Sequence, residues 1–142
     1  MGIDYRQLVR GDRVHGSLLH DSEVFAEEME RIFVRGWAFV GHESEIKNNG
    51  DWVKRQLGNE SVIMVRGDDG DIGVLSNRCA HRGTALCWEQ RGNASFFQCT
   101  YHNWRFGLDG SLRAVPFPDG YSKPKEALGL DRAGQVASYR GF

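Results

Sequence analysis

Two cysteine–histidine pairs are the residues of this 142-residue sequence that could do chemistry. The first pair is Cys79-x-His81 and the second is Cys99-x-x-His102, in a chain that has only three cysteines. Thiolates and imidazoles are the side chains that bind zinc and iron–sulfur clusters. Four such ligands in two short segments predict a metal centre.

Each pair combines one thiolate with one imidazole, and this mixture bears on the identity of the metal. Structural zinc usually takes paired cysteines from one knuckle and often two histidines from one helix. A 2Fe–2S cluster of the Rieske type has two cysteines on one iron and two histidines on the other. Neutral imidazoles in place of thiolates lower the negative charge, so the centre accepts an electron more easily. We therefore favour a 2Fe–2S cluster on Cys79, His81, Cys99 and His102, with a zinc-held interaction module as the alternative.

The residues around both pairs resemble a known family. Segments 79–83 (CAHRG) and 99–104 (CTYHNW) are similar to motifs of the Rieske domain in the large (alpha) subunit of aromatic-ring-hydroxylating dioxygenases. The stretch 36–46 (GWAFVGHESEI) and the turn at 50–52 resemble the same domain. The family usually has glycine where Asn103 stands, and asparagine is the next most tolerant residue for a positive φ.

The resemblance implies an electron-transfer part of an oxidoreductase. A reductase or ferredoxin would donate electrons to the 2Fe–2S cluster. A mononuclear Fe(II) in a catalytic domain of the same or a neighbouring subunit of a trimer would accept them. In the family that domain follows the Rieske domain, so we expect it to be absent from this chain. The chain alone would then have no catalytic residue and no oxygenase activity.

A free-standing Rieske-type ferredoxin, an electron carrier and not an enzyme, is the second interpretation of the same motifs. A small ferredoxin needs no capped helix and no stretch like 36–46 before its first strands. The first sixty residues therefore favour the oxygenase domain.

Two further features have simpler explanations than a second active site. Asp12, His15 and His20 match the D-x-x-H-x-x-x-x-H spacing of the mononuclear iron ligands in this family. They precede the two pairs, whereas the resemblance places the catalytic domain after them, so we expect no iron there. Cys87 has no partner cysteine, and we expect it to be a core residue.

The elements that must position the two pairs are predicted to be short strands. Five runs have strand-like composition: 61–66, 72–77, 95–99, 104–108 and 136–142. The first two flank a Gly/Asp-rich turn and predict a hairpin, and Asp109-Gly110 predicts a two-residue turn. Both pairs therefore lie at the tips of β-loops, and we expect a mainly β fold of antiparallel hairpins.

One short helix is predicted before the strands. Asp21 or Ser22 can cap a helix that runs to about Arg35, and Gly36 ends it. The apolar positions recur at helical spacing and predict packing against a core: Phe25, Met29, Ile32 and Phe33. We assign 1–36 to an N-terminal arm and helix and 37–142 to the Rieske domain.

Composition excludes several other classes. The formal net charge is −1 with 26% charged residues, so no basic excess favours nucleic acid. No apolar run approaches membrane-spanning length, and the first residues lack the apolar core of a signal peptide. We therefore expect a cytoplasmic protein, where thiols stay reduced and cysteines serve metals or chemistry.

Overall fold

A computed structural model describes residues 3–142 of the chain. One compact unit ends at Ala38, and a second covers Phe39–Phe142. The assignment of 1–36 and 37–142 to functional domains stays a prediction. Within residues 3–142, no helix has the length and apolar character needed to cross a membrane.

The N-terminal unit consists of short elements. They are α1 (Tyr5–Leu8), β1 (Val9–Arg10), β2 (Arg13–Val14), α2 (Ser17–His20), α3 (Ser22–Glu28) and a π-helical turn at Met29–Phe33. The predicted cap of α3 is confirmed, because the Asp21 carboxylate accepts hydrogen bonds from the backbone N–H groups of Glu23 (2.8 Å) and Val24 (3.3 Å). The predicted single helix instead changes geometry after Glu28.

The prediction that the apolar face of this helix packs in a core is wrong. Phe25, Ile32 and Phe33 are 53%, 57% and 51% exposed, whereas Val24 is buried. The Val34 N–H donates to the Met29 carbonyl five residues earlier, at 3.0 Å. A π-helical turn adds a residue to the helical repeat, so Ile32 and Phe33 do not continue the face that Phe25 begins.

The second unit contains a four-stranded antiparallel sheet in the order β5-β4-β3-β6. Its strands are β3 (Asp51–Leu57), β4 (Glu60–Arg66), β5 (Ile72–Ser76) and β6 (Arg91–Asn93). The predicted β4–β5 hairpin is confirmed, with Arg66 paired to Ile72 at the turn. Sequence reasoning missed β3, whose centre carries charged residues although Trp52 and Val53 are buried.

A three-stranded antiparallel sheet follows, with β7 (Phe97–Gln98), β8 (Arg105–Phe106) and β9 (Leu112–Ala114). These strands confirm the predicted runs around the second pair, although they are shorter. The Gly107 N–H donates to the Ser111 carbonyl at 2.8 Å, so residues 108–110 form a three-residue loop and not the predicted two-residue turn.

The predicted strand at 136–142 is wrong. Tyr139 and Phe142 exchange backbone hydrogen bonds of 2.9 and 3.1 Å within a local turn, so the run curls on itself. The prediction of a mainly β fold with antiparallel hairpins is nevertheless confirmed.

One hydrophobic core joins both sheets of the second unit. Trp52, from the first sheet, meets Phe97, from the second, edge to face with ring centroids 6.5 Å apart. Cys79 and Cys99 belong to the same buried cluster. The core therefore fixes the two cysteines of the predicted centre next to the packing of both sheets.

Candidate metal centre

The first ligand pair lies in a tight loop after β5, which we call the first loop (residues 79–84). The Cys79 N–H donates to the Thr84 carbonyl at 2.8 Å, and the Gly83 N–H donates to the Cys79 carbonyl at 2.8 Å. An isolated antiparallel bridge between Arg78 and Ala85 closes the base of the loop. The predicted placement on a β-loop is confirmed for this pair.

The second pair lies in the loop between β7 and β8, which we call the second loop (residues 99–104). Its backbone repeats the scheme of the first loop. The Cys99 N–H donates to the Trp104 carbonyl at 2.9 Å, and the Asn103 N–H donates to the Cys99 carbonyl at 3.0 Å. In both loops the cysteine is the anchor, and the histidine projects from the turn that the two hydrogen bonds enclose.

A left-handed residue occupies the same place in each loop. Gly83 has a φ of 73° and Asn103 a φ of 58°, which confirms the expectation that Asn103 adopts a positive φ. Asn103 also contributes its side chain. Its Oδ1 accepts a hydrogen bond from Gln98 Nε2 (3.1 Å), and Gln98 Oε1 accepts one from Arg105 Nε (2.9 Å). This surface chain ties the second loop to the strands on both sides of it.

The two thiols of the loops lie together in the core. Cys79 is 3% exposed and Cys99 2% exposed, and both are free cysteines. Burial raises the pKa of the Cys79 thiol, and a hydrogen bond with the Cys99 thiol raises it further. Because metals bind the thiolate, occupation of this site must release protons.

The two imidazoles also lie together, with the ring centroids of His81 and His102 4.7 Å apart and the planes at 66°. Both Nδ1 atoms are buried and have no hydrogen-bond partner among residues 3–142. Burial lowers the pKa of His81, and the neighbouring His102 lowers it further. A buried polar atom without a partner requires an explanation, and a metal ion facing Nδ1 supplies one. Two thiols and two such nitrogens fit the donor set of a 2Fe–2S cluster.

Aromatic side chains surround the imidazoles. Trp104 is 1% exposed and stacks on His81, with centroids 4.9 Å apart and planes at 2°, as expected for a residue that shields the site. The Tyr101 ring lies 3.9 Å from the His102 ring but remains 58% exposed. Trp104 therefore shields His81 from within the core, whereas Tyr101 covers His102 from the solvent side.

Sequence reasoning missed Asn77, the buried amide beside the first loop. Its Nδ2 donates to the Cys87 carbonyl (2.9 Å) and to Ser61 Oγ (3.2 Å). Its Oδ1 accepts from the backbone N–H groups of Leu86 (3.1 Å) and Cys87 (2.8 Å). The only available signal was a polar residue at the end of an apolar strand, two positions before the first ligand.

Cys87 is buried at 6% exposure, which confirms the prediction of a core residue. Burial raises the pKa of its thiol to about 12. The thiol therefore stays protonated at neutral pH, as expected of an inert packing residue.

The D-x-x-H-x-x-x-x-H match has ordinary local contacts. Asp12 pairs with Arg13 at 2.5 Å, and His15 Nδ1 lies 2.9 Å from Ser17 Oγ. Within residues 3–142, no three His, Cys, Asp or Glu side chains surround a common point for a single metal ion. A 2Fe–2S cluster takes only two protein ligands per iron, so the paired donors of the two loops are compatible with it.

Comparison with known families identifies the cofactor of this chain. A family model described as the Rieske [2Fe-2S] domain matches residues 36–139. The chain belongs to the Rieske family. Its cofactor is therefore a 2Fe–2S cluster, as the sequence predicted.

The relatives of this Rieske domain are large oxygenase subunits. The large oxygenase component of the naphthalene 1,2-dioxygenase system of Pseudomonas aeruginosa is 41% identical over 144 residues, which cover 99% of this chain and 30% of that protein. The alpha subunit of the N,N-dimethyl phenylurea N-demethylase of Sphingobium sp. (strain YBL2) is 44% identical over 128 residues, or 88% and 28% of the two chains. The predicted resemblance to large subunits is confirmed.

A solved structure shows the same fold. The naphthalene 1,2-dioxygenase of Rhodococcus sp. bound to indole superimposes with a TM-score of 0.87 at 36% identity, over 96% of this chain and 32% of that one. The chain thus spans about a third or less of the length of the relatives it matches.

Proposed function

We propose that Cys79, His81, Cys99 and His102 ligate the 2Fe–2S cluster of this Rieske domain, with the thiolates on one iron and the imidazoles on the other. The observation that carries the proposal is the pair of buried Nδ1 atoms without protein partners. They belong to the same two loops as the two adjacent buried thiols. The Cys79 sulfur also accepts hydrogen bonds from the backbone N–H groups of His81 and Arg82, which favour its thiolate form.

The protein groups around the site have distinct tasks. The buried thiols keep water away from one side of the centre, and Trp104 covers the face of His81. Because each Nδ1 is buried while the rings are only half-buried, the Nε2 edges of the imidazoles lie nearest to solvent. These edges are where we expect protons and electrons to be exchanged. When bound, the cluster supplies one-electron transfer.

In the longer protein we propose that this domain serves the large subunit of an aromatic-ring oxygenase. The electrons would come from a reductase or ferredoxin, and a mononuclear Fe(II) in a catalytic domain of the same or a neighbouring subunit would receive them, within a trimer in the cytoplasm. The support is similarity to large components of multi-subunit systems. Because relatives of similar identity include a dioxygenase and an N-demethylase, the proposal names no substrate.

The free-standing ferredoxin is less well supported as an alternative. Similarity to the naphthalene dioxygenase component covers 99% of this chain, including residues before the Rieske match begins at 36. We therefore propose that residues 1–36 form an arm of the oxygenase subunit and 37–142 its Rieske domain.

Metal analysis of the purified chain tests the ligand proposal. We expect a red-brown protein with two irons and two acid-labile sulfides per chain, and the EPR spectrum of a Rieske centre after reduction. Stoichiometric zinc without sulfide would contradict it. Given NADH, a reductase and an aromatic substrate, the chain should become reduced without forming product. Product formation by this chain alone would contradict the electron-relay role.

A further inference from the structure

The imidazole plane of His81 is parallel to that of a deeply buried indole. Trp104 lies parallel to the imidazole within 2°, with centroids 4.9 Å apart. A parallel stack constrains an imidazole only if the indole itself cannot rotate. What holds the indole therefore determines how firmly His81 is oriented.

The indole is held by Tyr121, a residue outside both loops. Trp104 Nε1–H donates to the Tyr121 hydroxyl at 3.3 Å, and no other acceptor within residues 3–142 bonds to it. The Tyr121 ring stands perpendicular to Trp104 (5.0 Å, 88°) and to His81 (6.0 Å, 89°). Its ring packs against the edge of the stack, and its hydroxyl accepts the hydrogen bond from the indole.

Tyr121 is itself anchored in the fold. It packs against the core that joins the two sheets, and its N–H donates to the Pro118 carbonyl at 3.3 Å, closing the turn Pro118–Gly120. Core packing and this turn therefore hold Tyr121 in place.

We infer that Tyr121 is a positioning residue for the ligand His81 and acts through Trp104. Its hydroxyl satisfies an N–H that is buried with the indole and would otherwise be unpaired, and this bond fixes the indole plane. The indole plane in turn fixes the imidazole plane. The inference rests on the proposed ligand set, since it assigns Tyr121 the task of orienting His81 toward the cluster.

The test compares Tyr121→Phe in two backgrounds. The change removes only the hydroxyl and keeps the ring. Made in the parent chain, it leaves the indole N–H unpaired; made together with Trp104→Phe, it leaves nothing unpaired. Tyr139→Phe is the matched control, because Tyr139 is 73% exposed and contacts neither ring of the stack. Each protein is examined for iron and sulfide content, for the EPR g values and midpoint potential of the cluster at one pH, and for cluster loss to a chelator.

We expect Tyr121→Phe to keep two irons and two sulfides but to change the g values and the potential. Its cluster should be lost to the chelator about tenfold faster, as expected when a buried donor is left unpaired. Tyr139→Phe should match the parent. In the Trp104→Phe background the tyrosine change should add no further shift, because the two residues act as one unit.

Two results would overturn the inference. One is a Tyr121→Phe protein with the g values and potential of the parent. The other is an equal shift with and without the indole, which would mean that the hydroxyl acts on the centre by another route. Failure of the ligand proposal is distinguishable, because His81→Ala would then keep two irons and two sulfides.

Discussion

The first and second loops share one backbone design but are supported in different ways. The second loop is the tip of the β7–β8 hairpin, and its own neighbours Gln98 and Arg105 brace it at the surface. The first loop has only the isolated Arg78–Ala85 bridge at its base and depends on the buried amide of Asn77. Equal backbone geometry is thus supported by exposed hydrogen bonds beside one loop and by buried hydrogen bonds beside the other.

The two histidines also differ in where they leave their loops and in which residues cover them. His81 follows its cysteine by two positions and His102 by three, so the rings leave equivalent turns from different places. His102 is covered by Tyr101 from its own loop, whereas His81 stacks on Trp104 from the opposite loop. The histidine of the first loop is therefore supported by residues outside that loop, and one of them, Trp104, belongs to the second loop.

The largest effect should come from removing either imidazole, and here the loops should behave alike. His81→Ala and His102→Ala should each abolish the Rieske spectrum and most of the iron, because no other side chain replaces the lost ligand. His15→Ala, at an exposed histidine bonded to Ser17, is the control and should keep full iron content. Iron analysis and EPR give the result. A full cluster after either ligand change would contradict the ligand set.

The next largest effect should be on stability, and it should differ between the two loops. Asn77→Ala leaves the Cys87 N–H and carbonyl without partners, and the Leu86 N–H keeps only its 3.4 Å bond to the backbone carbonyl of residue 77. We therefore expect a loss of about 3 kcal/mol in the free energy of unfolding. Gln98→Ala removes exposed hydrogen bonds from the second loop and should cost less than about 1 kcal/mol. Urea denaturation followed by circular dichroism measures both. Equal losses would mean that the loops are not held differently.

The free energy of unfolding should depend on pH through Cys87, which lies shortly after the first loop. Its pKa rises from an ordinary value of 9.0 to about 12 in the folded chain. Between these values the unfolded chain has lost the thiol proton and the folded chain has kept it, so stability falls as pH rises. The free energy of unfolding falls by at most about 1.4 kcal/mol per pH unit between these two pKa values. Below pH 9 the thiol is protonated in both states, so its full stabilising contribution is retained there.

Cys87→Ala should remove this slope, whatever constant loss the smaller side chain causes. Urea denaturation at several pH values from 8 to 11 gives the difference between the two proteins. A difference that does not change with pH would show that the Cys87 thiol titrates normally in the folded chain.

The smallest effect concerns the left-handed position that the loops share. Gly83→Ala should lower the free energy of unfolding by about 1 kcal/mol, because a side chain is disfavoured at that φ. The added Cβ would not clash with its neighbours. Asn103→Gly should change stability by only a few tenths of a kcal/mol, since relief of the backbone offsets the lost bond to Gln98. Thermal unfolding of both variants measures this. A large loss for Asn103→Gly would show that the surface brace contributes more than the backbone.

Much of the site could be predicted because its signals are local. The mixed pairs, their place on β-loops, the Asp21 cap and the positive φ of Asn103 each depend on a few neighbouring residues. The failures were non-local. The apolar face that begins at Phe25 looked like a core face, but helical spacing does not reveal a change to π geometry or what covers a face. The run 136–142 has strand composition, but no strand in the described part of the chain pairs with it.

The kind of centre follows from local sequence, because ligand chemistry depends on residue types and spacing at Cys79, His81, Cys99 and His102. How those ligands are held depends on tertiary packing. Tyr121 is distant in sequence from His81 and occupies a place that no local pattern marks, since ring stacks and buried hydrogen bonds form only when separate strands and loops pack together. The donors can therefore be identified from the sequence, whereas their orientation depends on the tertiary structure.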